Sequence, residues 1–163
     1  LVAILIFSVV LHEVSHGWVA FSLGDPTAKN AGRLTLNPIP HIDPIGSLLV
    51  PFFLILTTGT GFGWAKPVPV NHSNLRDRKY GSAKVSFAGP GANLAIAVVF
   101  GLFLRFLPIA EISPNLIPLF VSIVYLNLIL AVFNLLPIPP LDGSHILFTF
   151  LPPSLDHIRI FLT

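Results

Sequence analysis

The chain has 163 residues, a net charge of +2 and no cysteine, which excludes disulfides and thiolate metal ligands and argues against a nucleic-acid partner. Hydrophobic residues make up 53% of it and charged residues only 10%, against about 25% charged in soluble domains, and the mean hydropathy is +0.83. The length allows one domain, residues 1–163, with no room for a separate soluble domain, so composition predicts an all-α membrane protein: a polytopic helical bundle.

The first predicted span runs from Leu1 to Leu23 and ends at Gly24-Asp25-Pro26, a helix stop followed by a turn. Because the chain opens on Leu1 in mid-hydrophobic run, it reads as a fragment lacking terminal residues. Residues 12–16 are His-Glu-Val-Ser-His, which a cleaved signal peptide has no reason to carry. On a helix, His12 and His16 lie one turn apart on one face, so both imidazoles can bind one Zn²⁺ while Glu13 projects beside them toward a bound water. The metal lowers the pKa of its water to about 7, and the glutamate takes the proton. Two histidines on a soluble surface helix would be the bland account of this pattern. Ionisable groups inside an apolar span are costly, however, and mark a functional or water-lined site.

Within the polar, Pro-rich connector that follows, residues 31–37 alternate at Arg33, Leu34, Thr35 and Leu36, which predicts a short β-strand or hairpin element near the site, with an edge for extended substrate. Ile45 to Trp64 is apolar again but carries Pro51 and four glycines, and is expected to be re-entrant, dipping in and returning. A polar, basic stretch from Trp64 to Ala83 precedes two clean spans, about Val85 to Leu107 and Leu116 to Leu136, which bring the core transmembrane helices to about three. The chain closes with Pro137-Ile-Pro-Pro-Leu-Asp-Gly143 and a shorter apolar stretch interrupted by Pro152-Pro153.

A catalytic zinc takes three protein ligands plus water, so His12 and His16 need a third. Asp142 is the candidate, because the prolines before it break the helix and can turn its carboxylate back into the bundle. His145, three residues on, is the rival, and Asp-Gly is also a common turn.

Taken together, His-Glu-x-x-His in the first span, Gly89-Pro90-Gly91-Ala92-Asn93 opening a second, and Asn134-x-x-Pro137 leading to Asp142-Gly143 resemble the site-2 protease family of intramembrane zinc metalloproteases. The likeness covers nearly the whole chain and is nearest to the short prokaryotic forms without a PDZ insertion. It implies that His12, His16 and Asp142 hold one zinc, that Glu13 is the general base, and that Asn93 lies near the reacting carbonyl. The bland account of Asn93 is a residue that satisfies backbone groups in the first turn of a helix. The resemblance further implies substrates that are transmembrane segments of regulatory proteins, often already trimmed by another protease, and an active site nearer the cytosolic face of a prokaryotic cell membrane.

Convergence of the ligands at one depth requires that Ile45 to Trp64 not cross the bilayer. Lys29, Arg33, Lys66, Arg76, Arg78, Lys79 and Lys84 then share one side, Arg105 alone lies on the other, and the basic side is cytoplasmic. His41, His72 and His157 read as solvated loop histidines, and Trp18, Trp64 and Tyr80 as interfacial anchors or packing. Two other readings fit fewer residues. A metal transporter gives Glu13 no reason to sit in the motif, and an inactive protein that binds membrane segments gives none for the intact set of His12, Glu13, His16 and Asp142.

Overall fold

The computed structural model describes residues 1–61, 63–108, 111 and 113–152; His157 and Pro153 lie outside them. Among these residues, three helices are long and apolar enough to cross a membrane: α1 (Val2–Ser22), α4 (Gly81–Phe106) and α5 (Leu116–Asn134). Between α1 and α4 lie the single turn α2 (Thr27–Asn30), a π-helical turn Pro44–Leu49 and α3 (Val50–Thr58); α6 (Asp142–Phe150) follows α5.

Two stripes at four-residue spacing bring α1 and α4 together. Ser8, His12, His16 and Ala20 line the buried face of α1, while Val85, Gly89, Asn93 and Ala97 line that of α4. Residues four apart share a helix face. The small ones let the backbones approach, the usual means of packing helices in lipid. Leu5, Ile6, Phe7 and Trp18 of α1 point outward, so polarity is turned inward and the apolar surface faces out. In α5 only Asn127 and Ala131 are buried, and Phe120 packs against Phe100 and Phe103 of α4.

The connector between α1 and α4 starts and finishes in the same place. The Arg76 amide donates to the Leu23 carbonyl at 2.8 Å. Asp25, completely buried, accepts from the Asn71 amide at 2.7 Å, from Asn74 Nδ2 at 2.9 Å and from the Thr27 amide and hydroxyl. The apolar part of the connector also returns on itself, since the Trp64 amide donates to the Gly46 carbonyl at 3.1 Å and Ser47 Oγ donates to the Trp64 carbonyl at 2.7 Å. Gly46 is required there, because a Cβ would collide with the Trp64 ring.

The structure corrects three sequence expectations. Residues 31–37 form turns, and no strand occurs among the described residues. The amides of Ala31, Gly32 and Arg33 are spent closing α2, Gly32 has φ 66°, and Thr35 Oγ1 accepts from the Asn37 amide, so both ends of the segment are held by local hydrogen bonds. His41 is buried rather than solvated, with Nε2 3.0 Å from the Thr35 carbonyl. Finally, α4 begins at Gly81, earlier than hydropathy indicates, because Asp77 accepts from the Tyr80 amide and pairs with Lys84 at 2.7 Å across the first turn.

Burial opposes ionisation of Asp25, but hydrogen bonds from Thr27, Asn74 and Asn71 outweigh it and hold the carboxyl below its ordinary 3.8. A depressed folded pKa contributes stability that is fully present above 3.8 and is lost as pH falls through the folded value. Thermal melts in detergent should therefore show Asp25→Ala destabilised by about 3 kcal/mol at pH 7, since charge-assisted bonds are lost and buried donors stranded. Asp25→Asn should lose less and show a flatter decline below pH 4 than the parent. Equal acid limbs in parent and Asp25→Asn would refute this role.

Candidate metal centre

Three side chains from two ends of the chain meet at the inner face of α1. His12 Nε2 and His16 Nε2 are 3.1 Å apart, and Asp142 Oδ2 lies 3.2 Å from the first and 3.3 Å from the second. Each imidazole has its other nitrogen committed. His16 Nδ1 is 2.7 Å from the Val85 carbonyl and His12 Nδ1 is 2.6 Å from Asn93 Oδ1. Both partners can only accept, so Nδ1 carries the proton on each neutral ring and Nε2 presents a lone pair. Asp142 Oδ2 is buried and has no hydrogen-bond partner.

With both rings neutral, two lone pairs and a carboxylate oxygen face one another. Such a group repels itself unless a metal ion or a proton sits between its members. Tetrahedral zinc with bonds of about 2.0–2.1 Å separates its ligand atoms by about 3.3 to 3.4 Å, and the observed separations match. The residues therefore fit a zinc ion, with the fourth position left to solvent or substrate. Hydrogen bonds to the far ring nitrogens are the usual way such ligands are oriented.

Local sequence explains each placement. Four-residue spacing on α1 sets the two histidines. Gly89 brings α4 against them, since a Cβ there would lie 2.6 Å from His12 Nε2 and closer still to His16 Nε2. At the other end, Pro137, Pro139 and Pro140 prevent α5 from continuing. Gly143 lets the start of α6 rest on the Leu135 and Leu136 carbonyls, where a Cβ has no space. This turn delivers Asp142 to the histidines. His145, the rival ligand, instead stacks on His72 at 5.9 Å, and the group that could hold a metal among the described residues is His12, His16 and Asp142.

The centre opens into a cleft of about 330 Å³ lined by Glu13, Pro67, Val68, Asn134 and His145 as well as the ligands. Glu13 Oε2 accepts from the Val68 amide at 2.8 Å. Flanked by Pro67 and Pro69, Val68 carries the only N–H of that tripeptide. Asn93 is completely buried, and its Nδ2 donates to Asn127 Oδ1 at 2.7 Å and to the Ser8 carbonyl at 3.3 Å. It touches His12 rather than the cleft, and the amide that lines the cleft is Asn134. Sequence reading missed Val68, Asn127 and Ser8. Asn127, a lone amide in an apolar span, is the one visible signal; a backbone N–H leaves none.

Gly89→Ala tests the close approach. Alanine favours the helix by roughly 0.5–1 kcal/mol, so helicity and melting temperature should hold while zinc content, read by elemental analysis, falls more than tenfold. Full zinc occupancy in Gly89→Ala would contradict the geometry.

Residues 108–158 match the model of peptidase family M50. Over 161 residues the chain is 44% identical to a Bacillus subtilis protein named putative zinc metalloprotease YwhC, an alignment covering 94% of this chain and 70% of that one. It is 35% identical to putative zinc metalloprotease Rip2 of Mycolicibacterium smegmatis, across 91% of this chain and 56% of the relative, and 34% identical to the Rip2 protein of Mycobacterium tuberculosis, across 90% and 55%. The chain thus spans a little over half the length of these mycobacterial relatives. No solved structure matches it. Identity of this extent along nearly the whole chain shows that it belongs to peptidase family M50, the site-2 protease family.

Proposed function

We propose that the chain is a zinc-dependent intramembrane endopeptidase that hydrolyses peptide bonds in or near transmembrane segments of membrane-protein substrates, and that residues 1–163 form one such domain. The observation that carries this reading is the convergence of three potential metal-ligand atoms beside a carboxylate, inside a bundle of apolar helices. Family membership and the names of the relatives support it. A transport reading is not favoured: among the described residues His12, His16 and Asp142 form the one such cluster, with no second along a path.

His12, His16 and Asp142 would hold the zinc, one per chain. When bound, zinc supplies a Lewis acid that polarises the scissile carbonyl and makes water acidic near neutral pH. Glu13 removes the proton from the attacking water and later delivers it to the departing amine nitrogen. Val68 fixes one carboxylate oxygen of Glu13 through its amide, so the general base is aimed before substrate arrives. Substrate contact by an amide falls to Asn134, which lines the cleft, whereas Asn93 acts on His12.

The same reading includes a topology. Pro44–Leu49 and Val50–Thr58 contain 6 and 9 residues, about 22 Å at 1.5 Å per residue, short of the roughly 30 Å hydrocarbon core. With Trp64 returned to Gly46, this piece enters and leaves by one face. That face carries Lys29, Arg33, Lys66, Arg76, Arg78, Lys79 and Lys84, and by the positive-inside rule it is cytosolic. The metal centre then lies toward the cytosol.

Cleavage of a transmembrane reporter by the purified protein should fall by about 10²–10⁴ in Glu13→Gln, as for loss of a general base, with zinc content unchanged. Equal cleavage by both proteins would contradict the role of Glu13; zinc without cleavage in either would weigh against protease activity. Cysteines introduced at the exposed positions Asn30 and Arg78 should label from the same side of sealed vesicles. Labelling from opposite sides would refute the re-entrant topology.

A further inference from the structure

Behind the metal ligands, three spans share a buried polar chain that reaches from α5 to the zinc-facing ring. Ser8, Asn93 and Asn127 come from α1, α4 and α5, and both asparagines are 0% exposed. Asn127 Nδ2 donates to the Ile123 carbonyl at 2.8 Å and to Ser8 Oγ at 2.9 Å. Asn127 Oδ1 accepts from Asn93 Nδ2 at 2.7 Å, and Asn93 Oδ1 accepts from His12 Nδ1 at 2.6 Å.

This chain has a direction. A backbone carbonyl only accepts, so Ile123 compels Asn127 to turn its nitrogen that way and its oxygen toward Asn93. The Asn127 oxygen in turn compels Asn93 to present nitrogen to it and oxygen to His12. Facing an oxygen, His12 Nδ1 must carry the ring proton, which leaves Nε2 free for the metal. Were Asn93 to rotate its amide, Nδ2 would meet His12 Nδ1, the proton would move to Nε2, and the ligand would be blocked. The Ser8 carbonyl opposes this rotation at 3.3 Å, a longer contact than that of Asn127.

We propose that Asn127 is a positioning residue for the metal centre: acting through Asn93, it fixes His12 as the Nδ1–H tautomer and so keeps Nε2 available to zinc. This rests on the zinc reading of His12. It assigns a role to α5, which contributes none of the three ligand side chains. A polar side chain in a transmembrane span with every group satisfied is costly to keep for packing alone.

The test is zinc affinity by chelator competition in detergent, on the parent, Asn127→Leu, Asn93→Ala and the double variant, with melting temperature recorded for each. Outer-shell partners of metal ligands typically contribute about ten- to hundredfold in affinity. Asn127→Leu should lose that much, and in the Asn93→Ala background the same change should cost nothing further. A merely structural role would give losses that multiply. Unchanged affinity in Asn127→Leu, or multiplied losses, overturns the inference. Nitrogen-15 histidine spectra of the parent apoprotein provide a measurement independent of variant folding: His12 must show Nδ1 protonated, and an Nε2–H tautomer overturns the proposal. A parent that holds no zinc, or holds it equally well in His12→Ala, contradicts the metal reading itself, a different outcome from zinc held normally without Asn127.

Discussion

Two imidazole nitrogens and a carboxylate oxygen lie within 3.3 Å of one another among helices built for lipid. With both rings neutral these lone pairs repel one another unless a metal ion or a shared proton lies between them, and burial removes the water that would screen them. The rest of the structure follows from keeping that group together. The α1 stripe of Ser8, His12, His16 and Ala20 needs a partner helix that can come close, and α4 answers with Gly89 opposite the rings and hydrogen-bond acceptors at Val85 and Asn93 on either side. The Pro-rich turn after α5 exists on the same logic, since a helix that continued would carry Asp142 away.

The polar connector between α1 and α4 serves the site in a second way. It is pinned at its end by Asp25, which holds Asn71 and Asn74, and near its middle by Arg33, whose Nη2 donates to the Lys66 carbonyl at 2.6 Å. Between those points runs Pro67-Val68-Pro69, with its amide on Glu13 and Val68 packed toward Gly17 of α1. Glu13, the proposed general base, is therefore gripped by the loop that roofs the cleft. Chain segments that begin and finish on one side of the bundle make this possible, because they let a soluble-looking loop approach the metal from the side where α1 ends.

Much of this is legible in the sequence because the relevant signals are periodic or compositional. Spacing of four identifies His12 and His16 as a pair, hydropathy locates the three spans, and the proline breaks before Asp142 indicate a turn. Ligand depth argues that Ile45 to Trp64 turns back, a reading that the Trp64 to Gly46 contact supports. Other features depend on tertiary contacts that leave no local trace. Arg33-Leu-Thr-Leu36 alternates like a strand, yet it pairs with no other segment among the described residues and its first amide closes α2 on the Ala28 carbonyl. His41 reads as solvated because it lies in a Pro-rich connector between apolar segments, but the Lys66 amide returns from far along the chain to donate to its carbonyl. Asn93 reads as lying near the reacting carbonyl; the packing of α1 and α5 around it adds what the sequence does not show, that its amide nitrogen faces the Ser8 carbonyl and Asn127 Oδ1.

The measurement that bears most directly on the central claim is zinc K-edge X-ray absorption on the purified, zinc-loaded protein. A first shell of about four nitrogen or oxygen atoms near 2.0–2.1 Å, with the outer-shell scattering of two imidazoles, is the predicted result. That scattering should drop when His12 or His16 is replaced. A six-coordinate, all-oxygen shell indifferent to those replacements would show that the metal is not held by His12, His16 and Asp142, and their convergence would then have no bearing on the chemistry.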